Sequence, residues 1–259
     1  MYELPSYFVA ICLFACMLAA MFLGGAMGKP LQTKINEDGK SQANSVQGSL
    51  LGLLALLLGF TFSLSLGRFD QRSAEVVNEA NAIGTAWLRS DLVGDARRDD
   101  VKALLQRYSA IRVEAVTVSA ADAAGRTAMV EAANGVFADL WVLAAAEARE
   151  VKNPVAMGFV ASLNDMTDAL ASRDAAINRH VPELVLILLF GTFILLGGVV
   201  GYSSGIARIR PGVPVYAMMM LIVILVFLII DLDRPRRGLI EVDQTPMISL
   251  NTTIAAWSR

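Results

Sequence analysis

Apolar and polar positions follow two regimes along the chain. Four stretches carry no charged side chain: Tyr7–Gly28, Ser49–Gly67, Leu184–Ala207 and Val213–Ile230. Each has about the 20 residues that a bilayer crossing needs. Their apolar positions run on without alternating, which predicts membrane helices and not barrel strands. Charge marks the edges: Arg68 follows the second run, Arg208 the third, and Arg210 and Asp231 bracket the fourth. No basic residue precedes the first run, and its apolar stretch exceeds that of a cleavable leader, so it is expected to remain as a membrane helix. The charged loops Lys29–Gly48 and Arg208–Gly212 are expected to join the helices within each pair.

Between the pairs, Phe69–His180 switches to a helical period. Val101, Leu104, Leu105, Tyr108 and Ile111 form one stripe within 98–119. Met129, Val130, Ala133, Val136, Phe137, Leu140 and Trp141 form a second within 126–149. Met157, Val160, Leu163, Met166, Leu170 and Ile177 form a third within 157–178. The i, i+3, i+4, i+7 spacing is that of amphipathic helices. Breakers stand between the stripes at Gly94-Asp95, Gly125 and Asn153-Pro154. Nothing but Gly84 weakens Arg68–Leu88, so the second membrane helix is expected to run out of the bilayer; from Ser49 to Leu88 it would span about 60 Å. The expected fold is all-α. It has four transmembrane helices (two in 1–68, two in 181–233), a helical cytoplasmic domain over 69–180 and a C-terminal tail over 234–259.

Composition agrees with this pattern. Of the 259 residues, 55% are hydrophobic and 18% charged, against roughly 45–50% and about 25% in ordinary soluble domains. That argues against a wholly soluble enzyme and against disorder. A net charge of −2 provides no broad basic field for nucleic acid. Two cysteines, Cys12 and Cys16, exclude a disulfide scaffold and a cysteine-rich zinc site. The single histidine, His180, leaves no basis for a His-rich metal site. No metal and no cofactor is expected.

Basic residues near the membrane ends orient the chain. With the 69–180 block inside, the cytoplasmic side holds seven (Arg68, Arg72, Arg173, Arg179, Arg234, Arg236, Arg237). The other side holds five (Lys29, Lys34, Lys40, Arg208, Arg210). The balance favours a cytoplasmic block and cytoplasmic termini.

The second apolar run carries more. Leu58-Gly59-Phe60, then Arg68 and Phe69, resembles the pore helix of bestrophin channels. Nearly the whole chain resembles a bacterial bestrophin-like family, a domain of unknown function. The resemblance rests on Leu54–Arg68 with Gln71-Arg72, on Asn78-Glu79-Ala80-Asn81-Ala82-Ile83-Gly84-Thr85, and on Asp231-Leu232-Asp233-Arg234-Pro235 with Arg237-Gly238. It implies a bacterial inner-membrane protein, a homo-oligomer on the bestrophin pattern of five subunits, and cytoplasmic termini. In bestrophins a neck of three apolar residues, spaced four apart on the second helix, lines the pore. The matching positions here are Gly52, Leu56 and Phe60. Gly52 departs from that pattern, Phe69 and Asp70 replace paired tryptophans, and the acidic run of the bestrophin calcium clasp is missing.

Several residue groups are candidates for function. Leu56 and Phe60 share a helix face with Ser63, and in a ring they would form a dry constriction. The same face would meet lipid or a neighbouring helix if there were no pore. Further along the helix, Gln71, Glu75 and Asn78 are vestibule candidates. Asn78, Glu79 and Asn81 would otherwise bond to facing helices and set their register. Gly197, Gly201 and Gly205, with Gly24 and Gly28, have the small-residue spacing of close helix packing. Asp231, Asp233 and Arg234 form a polar cluster at the end of the fourth helix, where carboxylates oppose the macrodipole and need an offset. Adjacent arginines and water would supply it, or else a polar pair or cation site. The membrane runs hold no acidic or basic side chain, and no nucleotide-binding glycine loop or metal-ligand cluster appears, so an enzyme is not expected. The leading reading is an ion channel; the alternative is a non-conducting scaffold whose helical block binds a partner. The bilayer, inorganic ions and further copies of the chain are the expected partners.

Overall fold

The computed structural model describes residues 5–118, 122–151, 154–234 and 239–257. Among them there are eight α-helices and no strand. The helices are α1 (Ser6–Gly28), α2 (Glu37–Ser90), α3 (Asp95–Thr117), α4 (Ala123–Val151), α5 (Pro154–Asn178), α6 (Glu183–Ala207), α7 (Val213–Asp233) and α8 (Thr245–Trp257).

Two elements differ from expectation. The loop expected over Lys29–Gly48 is mostly helix: a short 3-10 turn, Lys29–Leu31, is followed closely by α2. The cause is a local cap. Asn36 Oδ1 accepts the Gly39 N–H at 3.0 Å, and Glu37 and Asp38 fill the first turn, where carboxylates favour the positive helix end. α2 thus has 54 residues and a length of about 80 Å. The expected tail contains α8, whose Met247 and Ile254 are buried. Five segments are long and apolar enough to cross a membrane, against four expected: Ser6–Leu31, Glu37–Ser90, Ala124–Glu150, Ala156–Ala207 and Val213–Asp233. The additional one coincides with α4.

The chain forms two compact units, with the boundary inside α2. The first comprises Met1–Arg68 and His180–Ile240. Its core joins Leu13, Met17 and Met21 of α1, Leu54 of α2, Leu189, Phe193 and Leu196 of α6, and Met219, Val223 and Val226 of α7. α1 and α6 run parallel, because Gly197 meets Met17, Gly201 meets Met21 and Gly205 meets Gly25.

The second unit comprises Phe69–Arg179 and Glu241–Arg259. Its core joins Ile83 and Trp87 of α2, Val101, Leu105 and Tyr108 of α3, Val136 and Leu140 of α4, Phe159, Leu163 and Met166 of α5, and Met247 and Ile254 of α8. The expected stripes turn slightly. Val130, Trp141 and Met157 are exposed, while Ala144, Phe159 and Ala176 are buried.

Candidate functional site

α2 buries one face and presents the other. Leu54 and Thr61 are 2% exposed and Ser65 is fully buried, its hydroxyl donating to the Ile229 carbonyl at 2.7 Å. On the opposite side Gly52, Leu56, Phe60 and Ser63 are all exposed, Leu56 at 57% and Phe60 at 66%. A Cβ added at Gly48, Gly52, Gly59 or Gly67 would meet nothing within 4 Å. Of the vestibule candidates, Asn78 is exposed, whereas Gln71 and Glu75 are half-buried. Asn78 donates its amide to Glu75 at 3.3 Å.

The glycine ridges of α1 and α6 face each other. A Cβ on Gly24 would overlap the Gly198 carbonyl, and one on Gly201 the Met21 carbonyl. At Gly28, Gly197 and Gly205 it would lie 2.5–2.6 Å from the carbonyl oxygens of Tyr202, Met17 and Gly25. These backbones touch because neither helix carries side chains at the crossing. In lipid, where the hydrophobic effect does not drive association, such contact supplies the packing energy.

The Asp231–Asp233–Arg234 cluster is buried, and backbone amides satisfy its carboxylates. Asp231 Oδ2 accepts the N–H groups of Leu239 at 2.7 Å and Ile240 at 3.0 Å. Asp233 accepts the Val181 N–H through both oxygens, at 3.0 and 3.1 Å, at the entry to α6. His180 Nδ1 lies 3.1 Å from the Asp233 carbonyl oxygen. These amides provide the offset that the end of α7 requires and tie it to the start of α6. Pro235, Arg236, Arg237 and Gly238 lie outside the described residues. Among the described residues, no group of three or more His, Cys, Asp or Glu converges as a metal site would require.

A profile of the Bestrophin-like domain matches residues 11–247. The chain belongs to the Bestrophin-like domain family. The match takes in α2, the glycine ridges and the Asp231–Asp233 cluster, so every candidate group lies within the Bestrophin-like domain. The family and the apolar helices together make it a membrane protein. No match appears among curated proteins or among solved structures.

A further group of this Bestrophin-like chain is assembled from distant helices. Glu79 is fully buried on α2 and accepts Arg112 Nε at 2.5 Å and Nη2 at 3.3 Å. Its other partner is Arg173 Nη1, and Arg173 Nη2 reaches the side-chain oxygen of Gln244 at 2.8 Å. One carboxylate therefore joins α2, α3 and α5, and through Gln244 the segment leading into α8. Burial pushes the Glu79 carboxyl up, but the charges and hydrogen bonds of Arg112 and Arg173 outweigh it and hold it below the ordinary value. Beside it, burial and the Glu79 charge push the Tyr108 phenol up to about 12. Glu79 thus bonds to facing helices, as its motif suggests, but partners 33 and 94 positions away leave no local signal of which residues they are.

Proposed function

We propose that this protein is a subunit of an oligomeric ion channel in which α2 faces the axis, with Leu56 and Phe60 as the constriction. The exposed face of α2 carries the reading. It combines large apolar side chains with Gly52, Gly59, Ser63 and Gly67, none of them covered within the protomer. Lipid gains nothing from glycines, whereas a neighbouring helix can approach them closely. A ring of Leu56 and Phe60 would exclude ions because apolar walls cannot replace a hydration shell. Family resemblance favours five subunits, inorganic ions as cargo and a bacterial inner membrane, with no catalytic role.

Four crossings, by α1, α2, α6 and α7, suit the parallel α1 and α6. A fifth crossing by α4 would start α6 from the opposite side and make it antiparallel to α1. α4 also spends Ala133, Val136, Leu140 and Ala144 on the core of its own unit and buries Glu147 against the Gly94 N–H and Arg97. The charge balance then favours the second unit and both termini in the cytoplasm.

The test is ion flux in reconstituted vesicles. Leu56→Ala with Phe60→Ala should widen and wet the ring and raise flux for any permeant ion. Leu54, about 160° around the helix, belongs to the core, so Leu54→Ala should leave the ring intact and instead reduce stability. Unchanged flux in the double variant would reject the channel. The scaffold reading has one observation of its own: Phe137, Trp141 and Val142 of α4 line a cavity of about 720 Å³ with Asn164 and Thr167 of α5. That apolar opening would suit a partner helix.

A further inference from the structure

The C-terminal ends of α1 and α6 and the start of α7 enclose a cavity of about 540 Å³. Its wall is apolar on the membrane side, with Phe22, Ala26 and Tyr216. Gly25, Gly201 and Gly205 form the floor, where backbone contact leaves no side chain to fill the space. The rim holds three cations, Lys29, Arg208 and Arg210, and no lining residue is acidic. Among the described residues none of the three forms an ion pair.

Arg208 is the telling residue. It is the one non-glycine residue with positive φ among the described residues, at φ 60° and ψ 22°, and it caps α6. Glycine usually fills that cap, since a Cβ is strained there. Arginine adds a guanidinium at this spot, and its Nε is aimed by a 2.7 Å hydrogen bond to Gln32 Oε1. Cations at helix C-termini also complement the macrodipole. That role covers Lys29 and Arg208 but not Arg210, which lies beyond the cap. The last turns are already closed by the Lys29 N–H to Gly25 and the Arg208 N–H to Ser204.

We infer that this cavity binds the phosphate headgroup of an anionic phospholipid, with the phosphodiester between Lys29, Arg208 and Arg210 and an acyl chain along Phe22 and α1. A phosphate needs convergent cations, and arginine offers it a planar fork of donors. The site stands at the end of apolar helices, at the depth where a lipid phosphate meets water. It also accounts for cations on the side that the charge balance assigns to the exterior, where the positive-inside rule disfavours them. The inference depends on the membrane placement of this unit and not on conduction.

The test compares lipid retention by the full chain after reconstitution in nanodiscs of equal phosphatidylglycerol and phosphatidylcholine, read by native mass spectrometry. The wild type should retain phosphatidylglycerol preferentially. Arg210→Gln should lower that preference about fivefold, the effect of one cation near a membrane surface. Lys29→Gln with Arg208→Gly and Arg210→Gln should abolish it; glycine keeps the left-handed cap while removing the guanidinium. Lys34→Gln, at the same end but not lining the cavity, is the control. Equal retention of the two lipids overturns the inference, as does an equal loss in the control. Release of the phosphatidylglycerol by inorganic phosphate at concentrations that leave phosphatidylcholine in place would assign the site to free phosphate and overturn the lipid.

Discussion

Glu79 shows most directly how one side chain can organise a unit. Burying a carboxylate is costly unless it is paired, and here two guanidinium groups pair it. Removing it strands both. Glu79→Ala should cost about 3–5 kcal/mol, measured as lost thermal stability of the purified protein. The pH dependence follows from the direction of the shift. The folded carboxyl lies below its ordinary value of 4.5, so its contribution is complete above that value. It is lost as pH falls through the lower folded pKa. The wild type should therefore lose melting temperature on acidification below about 4.5, and Glu79→Gln should show a shallower loss. Equal slopes in the two proteins would contradict the assignment.

For the elements, glycines on one helix have opposite meanings. Gly201 touches the α1 backbone, whereas a Cβ at Gly191 on the same helix would meet nothing within 4 Å. Gly201→Ala should push α1 and α6 apart and destabilise by about 1–3 kcal/mol, as overpacking does. Gly191→Ala should be neutral or stabilise by about 0.5–1 kcal/mol, since glycine weakens a helix interior. Melting curves of the two variants in the same detergent check this directly. The α8 helix offers a second case. Met247→Ala removes a fully buried side chain from the core of the second unit and should cost about 2–5 kcal/mol. An isolated tail would lose nothing by that change.

For the whole molecule, the proposed orientation and assembly each predict a measurable outcome. In a background of Cys12→Ala and Cys16→Ala, a cysteine at the exposed Asp99 of α3 should resist an impermeant reagent added to intact cells. One at the exposed Ser41 of α2 should react. The reverse result would invert the topology. The uncovered glycines of α2 make a separate prediction. Gly59→Leu, which flanks the Leu56–Phe60 row, has open space within the protomer, so it should leave the protomer folded. In an oligomer it should reduce assembly, read as a lower mass by light scattering in mild detergent. An unchanged mass would remove α2 from the subunit contact.

The sequence by itself determined the all-helical class and the apolar runs that carry α1, the middle of α2, α6 and α7. Uncharged apolar runs permit little besides membrane helices, and the 3.6-residue stripes with Gly94 and Pro154 between them set most ends of α3 to α5. The local small-residue spacing also marked Gly24, Gly28, Gly197, Gly201 and Gly205 as packing positions, though not which helix each would meet. Other features needed the tertiary structure. The early start of α2 is not one of them, since the Asn36 cap is local to a segment that otherwise reads as a polar loop. α8 is held by burial of Met247 and Ile254 among α2 to α5. The Asp231 and Asp233 carboxylates found backbone amides, which carry no sequence signature. Arg112, Arg173, Arg208 and Gln32 each look like ordinary surface residues in one dimension. Folding brings Arg112 and Arg173 to Glu79 because a buried polar group keeps its place only with a partner, and distance along the chain does not indicate which partner that will be.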